Sequence, residues 1–170
     1  MCKRDRELIK PQVYVESSTI SYLTARPTEE PIRKAKQILT RQWWERRESF
    51  DLYISQTVLD EIAKGDKVAS NLRLLLAGEM TLLELDERIG TLTGLLLTAG
   101  ALPIHCEADA THISYAAIHG MDFLITWNQK HIAADMKRKL VEAIIDGFGL
   151  TPPRLLTPEQ HLLYEERRND

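Results

Sequence analysis

The chain has too little of several things to belong to whole classes of protein. Its 170 residues contain only two cysteines, Cys2 and Cys106. Two cysteines so placed make neither a metal-ligand spacing nor a disulfide framework, and a reducing cytoplasm is the expected compartment. No apolar run approaches the ~20 residues of a membrane-crossing helix. The longest, Leu92 to Leu102, is broken by Thr and Gly. The start, Met1-Cys2-Lys3-Arg4-Asp5-Arg6, is charged and has no apolar stretch behind it, so no secretory signal is expected. Glycine is missing where nucleotide-binding folds need it. The first strand-like run leads into Glu16-Ser17-Ser18-Thr19-Ile20-Ser21, which is neither a dinucleotide fingerprint nor a phosphate loop. There is no Gly-x-Ser-x-Gly elbow. Positive charge is not in surplus either. A net charge of −3 gives no general pull on nucleic acid, so such binding needs a local basic patch, a bound metal or a basic partner. Arg33, Lys34, Lys36, Arg41, Arg46 and Arg47, and later Lys137, Arg138 and Lys139, are either such patches or solvated helix faces.

What is present reads as one globular domain, 44% hydrophobic and 28% charged. A polar arm spans 1–10, the domain 11–165 and a polar tail 166–170. Strands are predicted at 12–16, 51–55, 80–85 (buried), 122–127 and 154–156. Helices are predicted at 17–24, 31–48, 57–64, 67–77, 86–99, 107–119 and 131–146, with a last one opening at Thr157-Pro158. Helical spacing picks out Ile32, Ala35, Leu39 and Trp43 in the second helix, and Ile132, Met136, Leu140 and Ile144 in the seventh. Gly65, Gly78, Gly100 and Gly120 are read as stops. Repeated alternation of strand and helix predicts an α/β fold: a three-layer α/β/α sandwich around a mainly parallel sheet.

Parallel sheets assemble their sites at the carboxyl ends of strands. Glu16 closes the first strand, Glu61 follows the second, Asp109 opens a helix and Asn128 closes the fourth strand. Clustered carboxylates suit Mg²⁺ or Mn²⁺, which prefer oxygen ligands, and imply chemistry on phosphate esters. Each residue also has an ordinary reading. Glu16 and Ser18 can cap the first helix, Glu61 can be solvated, and Asn128 can be a turn residue. Ser18, Thr126 and His112 are supporting candidates. His112 shares a helix face with Asp109 and by itself reads as structural. His105, His112 and His119 recur every seven residues, two turns or ~10.5 Å apart, which is too far for one ion. Trp43, Trp44 and Trp127 read as packing residues. Asp122 is expected at the opposite end of the sheet.

Four stretches resemble, in order, those of the PIN-domain family, in particular the VapC-type toxins of bacterial toxin–antitoxin systems. They are Val13-Tyr14-Val15-Glu16-Ser17-Ser18-Thr19-Ile20-Ser21-Tyr22-Leu23, Ser55-Gln56-Thr57-Val58-Leu59-Asp60-Glu61-Ile62, Asp109-Ala110-Thr111-His112-Ile113 and Met121-Asp122-Phe123-Leu124-Ile125-Thr126-Trp127-Asn128. The resemblance implies a Mg²⁺- or Mn²⁺-dependent ribonuclease acting on RNA, a homodimer, and a cognate antitoxin as partner. It places Glu16, Glu61 and Asp109 on the family's three acidic positions and Asn128 on a fourth that is often Asp. Two departures stand out. The family usually has Asp at position 16, and Asn128 removes one negative charge. A weak but working metal site is expected. The alternative is an attenuated PIN-like module that binds RNA or a protein without cleaving.

Overall fold

The structure, a computed structural model, describes residues 10–130 and 135–169. Five strands form one sheet: β1 (Gln12–Val15), β2 (Asp51–Ile54), β3 (Thr81–Leu82), β4 (Phe123–Ile125) and β5 (Arg154–Leu156), in the order β3-β2-β1-β4-β5. Every described pairing is parallel. Eight α-helices are described: α1 (Ser17–Thr24), α2 (Pro31–Glu45), α3 (Gln56–Ile62), α4 (Lys67–Ala77), α5 (Glu87–Thr98), α6 (Glu107–Ile118), α7 (Asp135–Gly147) and α8 (Pro158–Asn169). The result is the expected three-layer α/β/α arrangement.

β1 is the central strand. Val13, Tyr14 and Val15 are completely buried, as a strand covered on both faces must be, so its sequence is apolar without alternation. From β1 the chain steps outward through β2 to β3. It then returns to the other side of β1 as β4 and β5. The carboxyl ends of β1 and β4 therefore flank the point where the strand order reverses, the usual place for a site in such sheets. Asp122 lies at the other end, where its carboxylate accepts from the Gln12 backbone.

Polar side chains start the helices. Glu16, Ser55, Asp66 and Asp86 each accept a backbone N–H in the first turn of α1, α3, α4 and α5. Gly120 ends α6 at φ +66°, a conformation that side chains with a Cβ rarely adopt.

Several expectations need correction. The buried side of α2 is Gln37, Thr40 and Trp43, while Ile32 is 68% exposed. Apolar spacing does not mark this face, because its core-facing positions include polar residues that find partners. Gln37 donates to the Arg26 carbonyl, and Thr40 accepts from the Trp127 indole. α7 buries Val141 and Ile145 instead of Met136 and Leu140, which are exposed. β3 is a two-residue edge strand with both residues exposed, not a buried strand. Short edge strands expose little unpaired backbone, and the apolar residues flanking this one, Met80 and Leu83, supply its burial. The polar residues from 166 to 169 continue α8. The expected arm over 1–9 and the expected helix start at 131–134, with Ile132, lie outside the described residues.

Candidate metal centre

Glu16 is the first residue beyond β1. Its backbone N–H still bonds the Ile125 carbonyl of β4, and its backbone then turns the chain into α1. Its carboxylate is buried and accepts four hydrogen bonds. The Ser17 hydroxyl donates to Oε1 at 2.6 Å. Oε2 accepts from the Ser18 backbone at 3.0 Å, from the Ser18 hydroxyl, and from the Thr126 hydroxyl at 2.8 Å. Burying a carboxylate is costly unless it is hydrogen-bonded. These donors meet that requirement and fix its direction. Capping and site placement are thus one arrangement.

Thr126 carries the order across to β4. Its Oγ1 donates to Glu16 and accepts from the Asn128 backbone N–H at 2.8 Å. The Asn128 side-chain amide in turn donates to Asp109 Oδ1 at 2.7 Å. Asp109 is in the first turn of α6, where the positive end of the helix dipole favours an acid. Glu16, Asp109, His112, Thr126 and Asn128 line one small cleft.

Glu61 enters from the last turn of α3. It is held by His112, whose Nε2 is 3.0 Å from Glu61 Oε2. A carboxylate only accepts, so Nε2 carries the hydrogen. The other ring nitrogen, Nδ1, faces the Tyr14 hydroxyl at 2.8 Å, and that hydroxyl is 2.6 Å from Ser55 Oγ. Burial opposes ionisation of Glu61, but the hydrogen bond and charge of His112 outweigh it, with help from Ser17 and Lys64. Its carboxyl is thereby held below the ordinary value. Burial pushes the Tyr14 hydroxyl well above its ordinary range, although the Ser55 bond works the other way.

Glu16, Glu61 and His112 each place a donor atom within 4.8 Å of one another. Two carboxylates, Glu16 just beyond β1 and Glu61 from α3, suit a divalent cation in type, since hard cations take oxygen ligands. In this arrangement both nitrogens of His112 face protein groups. The ring orients Glu61, as residues behind metal ligands commonly do. Asp109 is outside that group of three but shares the small cleft with Glu16 and His112, braced by Asn128. Sequence reasoning missed Ser17, Tyr14 and Ser55. Ser17 touches Glu16 and influences Glu61, but serines after a strand look like caps. Tyr14 looked like a core residue, which it also is. His105 precedes α6 and His119 closes it, while Trp43 packs in the core.

No family model and no curated protein sequence matches the chain. A chain of the VapBC2 complex from Rickettsia felis, solved bound to a DNA fragment from its promoter, is similar in structure. It has a TM-score of 0.53 at 13% identity, over 86% of this chain and 98% of that one. At this identity the likeness shows the fold alone. No helix among the described residues is long and apolar enough to cross a membrane.

Proposed function

We propose that the protein is a metal-dependent endoribonuclease that hydrolyses RNA phosphodiesters, and that it is the toxin of a toxin–antitoxin pair. One observation carries the reading: Glu16 and Glu61 converge with His112 at the switch point of the sheet. The fold likeness to a chain of VapBC2 and the four resembling stretches support it.

Glu16 and Glu61, with Asp109 from the cleft it shares with Glu16, would hold Mg²⁺ or Mn²⁺. The ion, when bound, supplies a Lewis acid that acidifies water and offsets charge on the phosphate. The chain's own residues do the positioning. Ser17, Ser18 and Thr126 aim Glu16, while His112, backed by Tyr14, aims Glu61. Asn128 sets Asp109, and its side-chain carbonyl is of a type that can accept a bond. A cognate antitoxin, a homodimeric state and a cytoplasmic setting belong to the same proposal. The second reading, an attenuated module that binds without cleaving, is favoured by one observation: the fourth position is an amide bonded to Asp109.

The test is RNA cleavage by metal-stripped protein with Mg²⁺ or Mn²⁺ restored, beside Asp109→Asn and Glu61→Gln. Metal-dependent cleavage by the parent, with at least ~100-fold loss in each variant, is the expected result. Cleavage unchanged in both variants would sink the site assignment. A parent that binds RNA but never cuts it would favour the second reading.

A further inference from the structure

A cleft of about 540 Å³ opens between the end of α1 and the start of α2, and Ser18 lines it. Ser18 also donates to Glu16, so the cleft begins where the carboxylate site ends. Its volume lies within the ~300–1,000 Å³ of small-molecule sites. Tyr22 supplies aromatic surface, and Arg26 and Arg33 supply positive charge.

The charges in this region are unevenly matched. Among the described residues neither the Arg26 nor the Arg33 side chain makes an ion pair, although acids are close by in sequence. Glu29 is taken by Lys34 at 2.9 Å, and Glu30 accepts from the first backbone N–H groups of α2. The wall is built, not loose. Gln37 is buried in α2 and donates to the Arg26 carbonyl at 2.8 Å, which fixes the loop between the helices. Tyr22 packs edge-on against Trp127 at 5.9 Å, and the Lys36 ammonium lies over both rings at 5.6 and 5.1 Å. Trp127 is anchored to Thr40. A protein of net charge −3 therefore sets unmatched cations and an aromatic ring beside its acidic site.

Cations for the backbone and an aromatic surface for a base are how proteins take single-stranded nucleic acid. We propose that this cleft receives the nucleotide next to the scissile phosphate: Arg26 and Arg33 take its backbone charge and Tyr22 takes its base. The inference rests on the reading of the carboxylate site as a phosphodiesterase site. An acidic protein segment offers charge but no base for Tyr22, so the RNA strand is the better occupant.

The test is fluorescence anisotropy of a labelled single-stranded oligoribonucleotide in EDTA, across a salt series, with the full chain. The Arg26→Gln/Arg33→Gln double variant is expected to bind about tenfold more weakly at low salt, with a log Kd–log salt slope lower by about 1.4. Tyr22→Leu should weaken binding about tenfold with the slope unchanged. Lys34→Gln, which alters a paired lysine on the same helix, should bind as the parent does. Mn²⁺ affinity measured on each variant reports whether its site is intact. Parent-like RNA binding by both cleft variants overturns the inference. So does absence of binding by the parent, or displacement of the RNA by poly-glutamate as readily as by unlabelled RNA. Metal-dependent cleavage is scored separately. Binding that depends on the cleft without any cleavage overturns the ribonuclease reading alone, and cleavage with unaltered cleft variants overturns this inference alone.

Discussion

The Asn128 amide donates to Asp109 Oδ1 at 2.7 Å, so this neutral side chain acts as a brace for the acid. An acid there could not donate. Asn128→Asp sets two carboxylates against each other unless a cation lies between them. In EDTA this variant should be about 1–2 kcal/mol less stable than the parent, and saturating Mn²⁺ should restore more stability to it than to the parent. Thermal unfolding with and without Mn²⁺ measures both. Equal stability in EDTA would mean the brace is not worth what its geometry suggests.

Among the described residues, Tyr14 is hydrogen-bonded to the Glu16–Glu61–His112 group through His112. Its hydroxyl is 2.8 Å from Nδ1, and the opposite nitrogen meets Glu61. Tyr14→Phe removes that support and touches no carboxylate. Partners behind a ligand commonly set affinity by ~10–100-fold, so Mn²⁺ binding by calorimetry should weaken by about tenfold. His112→Ala should weaken it further and destabilise the fold by about 2–4 kcal/mol, since it opens a cavity and leaves Tyr14 short of a partner. Parent-like Mn²⁺ affinity in the Tyr14 variant would remove the relay from the account.

Much of this was legible in the chain because it is local. α1 and β5 start and end where their caps and breakers place them. Glu16 stands out because it closes the first strand, and the supporting candidates Ser18 and Thr126 meet its carboxylate there. The relay from Ser55 through Tyr14 to His112 was not legible. It joins residues 41 and 98 positions apart, and a tyrosine in a buried strand looks the same with or without a polar task. The faces of α2 and α7 failed for a related reason. Periodicity sees apolar side chains, whereas Gln37 and Thr40 are buried through hydrogen bonds that only the tertiary fold supplies.

Glu16 is the longer of the two acids, and its surroundings are built for that length. Thr126 and Ser18 reach the far oxygen, Oε2. Glu16→Asp retracts the carboxylate by ~1–1.5 Å, so it cannot keep both Thr126 and its position beside Glu61. Although it restores the residue usual in the resembling family, this variant should bind Mn²⁺ about tenfold more weakly and lose about 1 kcal/mol of stability. Calorimetry and urea unfolding test the two halves. A gain in Mn²⁺ affinity would show that Glu16 is a defect the cradle merely tolerates.

His161 ties α8 to the core through Trp43, and its protonation should set an acid limit on stability. Trp43 Nε1 donates to His161 Nδ1 at 2.8 Å. An indole only donates, so Nδ1 must be bare and Nε2 carries the hydrogen. Nε2 has no hydrogen-bond partner among the described residues, and Glu165 Oε1 is 4.0 Å away. The ring is fully buried against Phe123 and Phe50. Burial pushes its pKa from 6.5 down to about 4. Between those values the unfolded chain binds the proton and the folded chain does not. Stability from this group is therefore complete above about pH 6.5 and is lost as pH falls toward about 4, by about 3 kcal/mol in all. Protonation would also set a hydrogen on Nδ1 against the Trp43 donor. His161→Gln keeps an acceptor for Trp43 and does not titrate. Urea unfolding from about pH 7 to about pH 5, above most carboxylate titration, should fall steeply for the parent and little for the variant. Parallel pH profiles for the two proteins would place the acid sensitivity elsewhere in the fold.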